Sequence, residues 1–220
     1  MLGVLGWAAG AASASFPGRN GEIVYRWQGD SAYRAGPAAS SIRAVNPRTA
    51  QVRVLRDCPL LVLGYTECNL WAPRYSPDGQ TVAFPMVRII VEPSFNRQLP
   101  GLGRMASDGS RYEEHPSGAT YWTGLAWSPS GDRLLLERDL PVPDYNKPPA
   151  IFLASLDGAE LGQVTPAGSR EPDWSSNGWI AFTSGPFTSA ANVKVKRLHG
   201  AARRLLAEVV AGRPLDRLHS

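Results

Sequence analysis

Short runs of β-forming residues recur along this chain, too short for ordinary helices and broken at near-regular intervals by Gly, Asp, Asn, Ser and Pro. Such runs between turn-forming clusters predict β-strands joined by tight turns. Three segments share one design: residues 72–84 (APRYSPDGQTVAF), 125–136 (LAWSPSGDRLLL) and 171–182 (EPDWSSNGWIAF). In each, an aromatic residue (Tyr75, Trp127, Trp174) is followed by Ser and by a turn that ends on glycine (Gly79, Gly131, Gly178), and a run of β-formers comes next. The aromatics lie 52 and 47 residues apart.

The second half of each unit repeats as well. RMASDG (104–109), IFLASLDG (151–158) and VKVKRLHG (193–200) are strand-like runs entering a hairpin signal, and RYEEH, AELGQVT and AARRLLAE follow them. Asp-Gly between alternating runs predicts a type I′ turn, whose two central residues both need positive φ. One unit therefore reads as strand, turn, strand, variable loop, strand, turn, strand. Four antiparallel strands repeating every 45 to 50 residues is the pattern of a propeller blade, which buries its faces only by stacking on neighbouring blades. The recurring aromatic belongs on the innermost strand as a wedge between blades, since an aromatic buries ~150–250 Å².

A fainter unit comes first: Asn20-Gly21, then EIVYRW (22–27), SIRAV (41–45) and QVRVLR (51–56), with no innermost strand ahead of it. The tail 214–220 (PLDRLHS) falls where the next innermost strand is due, and could close a ring by completing that first blade. The expected organisation is an all-β propeller of about four four-stranded blades at about 20–57, 70–117, 122–167 and 170–207, within one domain spanning 15–220, and with 213–220 as a closing strand. The stretch 201–211 (AARRLLAEVVA) also fits an amphipathic helix, although the repeat phase calls for a strand. Pro85 lies in the second strand of the second unit and predicts an edge or a bulge there.

Composition adds limits. The chain has 220 residues, 43% of them hydrophobic and 19% charged, with 22 Gly, 19 Pro and 7 Trp. Its net charge of +4 comes from Arg scattered along the chain without a basic block, which argues against nucleic-acid binding. Residues 1–14 (MLGVLGWAAGAASA) are apolar and end on Ala12-Ser13-Ala14, as a signal peptide does, but they lack a positive start and fit a buried segment too. They are too short to span a membrane, so no span is expected in the mature chain. Cys58 and Cys68 are the only cysteines, ten positions apart; in an exported chain they would form a disulfide, and in a cytosolic one two free thiols.

YSPDGQTVAF, WSPSGDRLLL and WSSNGWIAF with their downstream turns resemble the repeats of TolB-like β-propellers, also found as non-catalytic propeller domains of some peptidases. The start FPGRNGEIVY resembles exported actinobacterial members. The resemblance spans residues 16–206 and implies an extracytoplasmic protein that binds a protein or an envelope component, with no catalysis of its own; a monomer without cofactor is expected. The family's usual ring has six blades where four are recognisable here, so a truncated remnant is one alternative and a lyase or glycosidase built on a propeller another.

Catalytic patterns are missing. The sequence holds no G-x-S-x-G, H-E-x-x-H, P-loop or G-x-G-x-x-G. Ser76-Pro77-Asp78-Gly79 misses the sialidase-type Asp box by one residue, and no acid and nucleophile pair can be named. His115, His199 and His219 are too dispersed to propose a zinc site. Asp78, Asp108, Asp132, Asp157 and Asp173 recur near turns, where they could cap backbone N–H groups or hold Ca²⁺. The two longest variable stretches are 85–100 and 139–149 (DLPVPDYNKPP). The second is a stiff loop in which Tyr145 and Lys147 are candidates for partner contact, if it is more than a connector.

Overall fold

The computed structural model describes residues 21–28, 40–58, 68–91, 96–118, 120–139, 148–185, 192–197 and 208–210. Among them there is no helix, and the strands form four antiparallel sheets. Blade 1 holds β1 (Ile23–Trp27), β2 (Ser40–Val45) and β3 (Val52–Cys58). Blade 2 holds β4 (Cys68–Leu70), β5 (Arg74–Tyr75), β6 (Thr81–Val91), β7 (Asn96–Ala106) and β8 (Glu113–Pro116). Blade 3 runs β9 (Tyr121–Trp127), β10 (Leu134–Asp139), β11 (Ala150–Ala154) and β12 (Glu160–Gln163). Blade 4 runs β13 (Ser169–Trp174), β14 (Trp179–Ser184), β15 (Asn192–Arg197) and β16 (Glu208–Val210). Each blade is a meander in chain order.

The blades pack face to face, because alternate residues of one strand serve opposite neighbours. Leu134 and Leu136 of β10 enter the core shared by blades 2 and 3, while Leu135 between them enters the core shared by blades 3 and 4. All three are 0% exposed. This accounts for the unbroken apolar run, which a strand with only one buried face would not carry. A third core, around Ile42, Leu70, Val82 and Phe84, joins blades 1 and 2. Among the described residues no core cluster joins blade 4 back to blade 1, so these parts of the four blades form an arc.

β4 and β5 share the innermost position of blade 2, both pairing with β6. β6 itself runs unbroken through Pro85, which pairs with Leu102 in register. The irregularity sits on the partner strand. The Pro85 carbonyl accepts the Trp71 N–H at 2.9 Å, so the ring nitrogen of Pro85, which has no hydrogen to donate, faces the same side, where the chain leaves β4 and re-enters at β5. Ala72 within that gap has φ +30°. The stretch 85–100 is therefore a correction to the loop expected there: most of it extends the β6–β7 hairpin.

The Asp-Gly hairpins depart from type I′. Gly109 donates its N–H to the Ala106 carbonyl and Gly158 to that of Ser155, and φ is positive at both glycines but at neither Asp108 nor Asp157. The hairpins are type I turns followed by a left-handed glycine, the three-residue loop that also matches strand twist. The 208–210 part of the ambiguous tail is a strand paired with β15. The segments 1–14 and 213–220, together with Tyr145, Lys147, His199 and His219, lie outside the described residues.

Candidate binding face

Strand polarity sorts the connections between two ends of the arc. At one end are the turns that link first to second and third to fourth strands of each blade. At the other the second strand of each blade ends and the third begins, and each blade gives way to the next.

The turn end is built from side chains that satisfy their own backbone. Ser76 Oγ donates to Asp78 at 2.5 Å and accepts the Thr81 N–H at 2.9 Å; Asp78 accepts the Gln80 N–H at 3.0 Å. Ser128 bonds Asp132 at 3.0 Å, Ser155 bonds Asp157, and Ser175 bonds Asn177 at 2.6 Å. Gly79, Gly131 and Gly178 close these loops with φ of +71°, +74° and +83°, which is the reason glycine stands there. The Ser76 hydroxyl holds Asp78 below the usual carboxylate range, and serine hydroxyls do the same for Asp108, Asp132 and Asp157. Asp173 accepts the N–H of Trp174 at 3.0 Å. A cleft of about 390 Å³ opens between the turns of blades 2 and 3, lined by Asp78, Arg104, Trp127 and Ser130 among others.

The wedge aromatics stand at the ends of the first strands. Tyr75 packs on the core between blades 1 and 2, Trp127 belongs to that between 2 and 3, and Trp174 to that between 3 and 4. The Trp127 indole N–H reaches across the junction to the Arg74 carbonyl at 3.1 Å. Tyr75 is half-buried, and its hydroxyl approaches Glu22, which is paired with Arg53. A disulfide, Cys58–Cys68, ties the last strand of blade 1 to the first of blade 2.

The connection end is richer in chemistry. Past Arg88 and Leu99, β6 and β7 pair only with each other, because β4 ends its pairing at Arg88 and β8 at Gly101. A two-stranded ribbon thus projects beyond the sheet. Arg88, Arg97, Gln98 and Leu99 are exposed on it, and Gln98 accepts a hydrogen bond from the Tyr121 hydroxyl at 2.9 Å. At its base Arg88 pairs with Glu114 at 2.5 Å, and Glu114 accepts the Tyr112 hydroxyl at 2.7 Å. Burial, followed by that carboxylate, raises the Tyr112 phenol far above its ordinary pKa. A small apolar cavity of about 90 Å³ lies there, between Met86, Leu99 and Pro116.

Deeper at this end sits Glu137, a carboxylate only 6% exposed. It accepts the backbone N–H of Glu171 at 2.8 Å and lies 3.9 Å from Arg170. Glu171 has φ +52°, within a shift of register in β13. A Cβ at Gly124 would come within 2.8 Å of the Glu137 carboxylate, so glycine makes room for the charge. Burial raises the Glu137 pKa, and the Glu171 N–H partly offsets this. The folded chain thus holds this proton to higher pH than the unfolded chain does. The resulting stability is present at low pH and is lost as pH rises through the raised value. Glu137→Gln keeps an acceptor for Glu171 without the buried charge. Its urea midpoint should exceed that of the parent at pH 7, by a margin that shrinks on acidification; a margin that stays constant with pH would contradict the assignment.

Nothing in the spacing of residues pointed to Glu137 or to the ribbon. Among the described residues no group of three or more His, Cys, Asp or Glu could hold a metal, and no helix is long and apolar enough to cross a membrane.

No family profile and no curated protein matches the chain's sequence. Solved structures match its fold. TolB from Acinetobacter baumannii superposes with a TM-score of 0.52 at 16% identity, over 85% of this chain and 41% of that one. The fold is that of a TolB-like β-propeller. A structure from a study of two prolyl endopeptidases gives 0.57 at 18% identity, over 87% of this chain and 29% of its own. A puromycin-hydrolyzing peptidase of Mycobacterium tuberculosis gives 0.55 at 11%, over 88% and 28%. The TolB-like chain described here thus spans about two fifths of TolB and under a third of either peptidase.

Proposed function

We propose that this chain is an extracytoplasmic, non-catalytic propeller module that binds a protein or another envelope component through its connection end. The observation that carries the reading is the β6–β7 ribbon. It continues β6–β7 pairing past the ends of β4 and β8, and it presents Leu99 at 36% exposure beside Arg88, Arg97 and Gln98. Exposed apolar and cationic groups on a projecting ribbon have the character of a recognition element. The turn end, by contrast, spends its polar groups on its own loops. The Cys58–Cys68 bond supports an oxidising compartment, where such bonds persist.

The experiment is site-specific photo-crosslinking in the native envelope. A photoreactive residue at Leu99 should give a discrete adduct, and one at Ser130 on the turn end should give none. Adducts from Ser130 alone, or equal from both, would overturn the reading. A second reading has a specific basis in the peptidase likeness: the module accompanies a separate catalytic unit, as propellers do in those enzymes. An adduct at Leu99 that maps to a hydrolase domain would favour it.

A further inference from the structure

Two arginines at the connection end of the first junction lack an ion-pair partner among the described residues. Arg26 of β1 and Arg56 of β3 both stand opposite Ile42 of β2. Ile42 enters the core between blades 1 and 2, and the arginines flank it on the same face of the sheet. Each lies against an aromatic ring of blade 2: Arg26 is 5.8 Å from the centre of the Trp71 ring, and Arg56 is 4.1 Å from that of Tyr112. A ring face steadies the positive charge but satisfies none of the N–H groups that lie in the guanidinium plane. The Nε of both arginines is buried and has no hydrogen-bond acceptor among the described residues. Burial pulls Arg26 below the ordinary arginine pKa, with no opposing acid among those residues.

The fold treats other arginines differently. Arg53, Arg104 and Arg138 each have a carboxylate, Glu22 at 2.5 Å, Glu113 at 2.7 Å and Glu160 at 3.3 Å. A charge drawn out of water without an opposite charge beside it costs free energy, which an incoming anion would recover. Glu114 lies at the same end of the junction, but Arg88 holds it at 2.5 Å and the Tyr112 hydroxyl donates to it at 2.7 Å, so its charge is already matched. Beside Arg88 is the apolar cavity between Met86, Leu99 and Pro116. Met86 enters the first core, and Arg88 and Leu99 stand opposite each other two positions further along, so the register sets the cavity on the face of blade 2 that looks toward Arg26 and Arg56.

We infer that this corner takes an acidic segment of a partner protein, with carboxylates received by Arg26 and Arg56 and a neighbouring apolar side chain by the cavity beside Arg88. The inference rests on the reading that the connection end binds a protein, and it names what that protein presents. Unpaired guanidiniums select an anion, and their planar fork matches a carboxylate. The apolar cavity next to them selects a peptide that mixes acids with apolar residues over a uniformly charged phosphate polymer.

The test is the Leu99 photo-crosslink in the native envelope, made in the parent and in the full chain carrying both Arg26→Gln and Arg56→Gln. Glutamine keeps a polar stem and removes the charge. Adduct yield should fall about tenfold or more in the double variant, as expected when the cations of buried charge pairs are removed. The crosslinked segment of the partner, sequenced by mass spectrometry, should carry at least a pair of Asp or Glu beside an apolar residue. The melting temperature of the double variant should equal or exceed that of the parent, because unmatched buried charges are gone. An unchanged yield, a partner segment without acids, an adduct to a non-protein polymer, or a fall in melting temperature of several degrees, which would make the two arginines fasteners of the blades, would each overturn the inference. A parent without a Leu99 adduct overturns the binding reading and this inference together, whereas equal adducts from parent and variant overturn this inference alone.

Discussion

Trp127→Ala is expected to be among the most damaging single substitutions in the chain, costing about 3–5 kcal/mol. The side chain is 2% exposed in the core between blades 2 and 3, among Leu125, Leu134 and Leu136. Truncation removes this filling and leaves a void between two sheets that already have their own hydrogen-bonded registers and cannot close on it. It also leaves the Arg74 carbonyl without the indole donor that now reaches it from the next blade. For a domain of this length the loss corresponds to a fall in Tm of roughly 6–20 °C. Trp127→Phe is the informative companion, since it restores most of the volume and not the hydrogen bond. Calorimetry on both separates filling from bonding, and an alanine variant within a degree or two of the parent would show that the wedge does not hold the blades together.

The second large effect is the loss of the Cys58–Cys68 bond. Closing so small a ring restricts the unfolded chain by about 2–3 kcal/mol in the loop-entropy account. Reduction, or the double substitution Cys58→Ala with Cys68→Ala, should lower Tm by roughly 4–12 °C. Both sulfurs also lie within the core between blades 1 and 2, where the cysteines are 0% and 3% exposed. The alanine pair therefore adds a packing loss that reduction does not, and should melt below the reduced parent. Equal melting temperatures for the oxidised and reduced parent would remove the staple from the account of stability.

Much of the fold is legible in the residues. The aromatic, serine and glycine of each unit recur because three separate constraints recur: a wedge at the junction, a hydroxyl that caps the turn, and a left-handed residue that closes it. Those constraints are local, so a window of ten residues carries them. The ribbon is harder to read. Pro85 argues against a central strand because it lacks a donor, and only the path of β4 and β5, ten or more residues upstream, shows that no acceptor awaits it there. Glu137 is hidden for a similar reason. Its position two residues after Leu135 places it on the face toward blade 4 by alternation, but the space and the donor that make the site come from Gly124 and Glu171, contributed by β9 and β13. The turn type of the Asp-Gly hairpins needed geometry as well, since type I′ and type I with a left-handed glycine draw on the same dipeptide. Whether the blades form a ring or an arc is not encoded in the repeat at all, because a period sets the size of a unit and not the angle between units.

Leu134, Leu135 and Leu136 have a consequence for how the molecule comes apart. One strand, three consecutive side chains and two different junctions mean that neighbouring blades are coupled in series, like links that share a pin. An inner blade cannot leave without uncovering two greasy surfaces at once, whereas a terminal blade uncovers one. Fraying should therefore begin at the ends of the arc and travel inward, with the middle of the chain the last to surrender its structure.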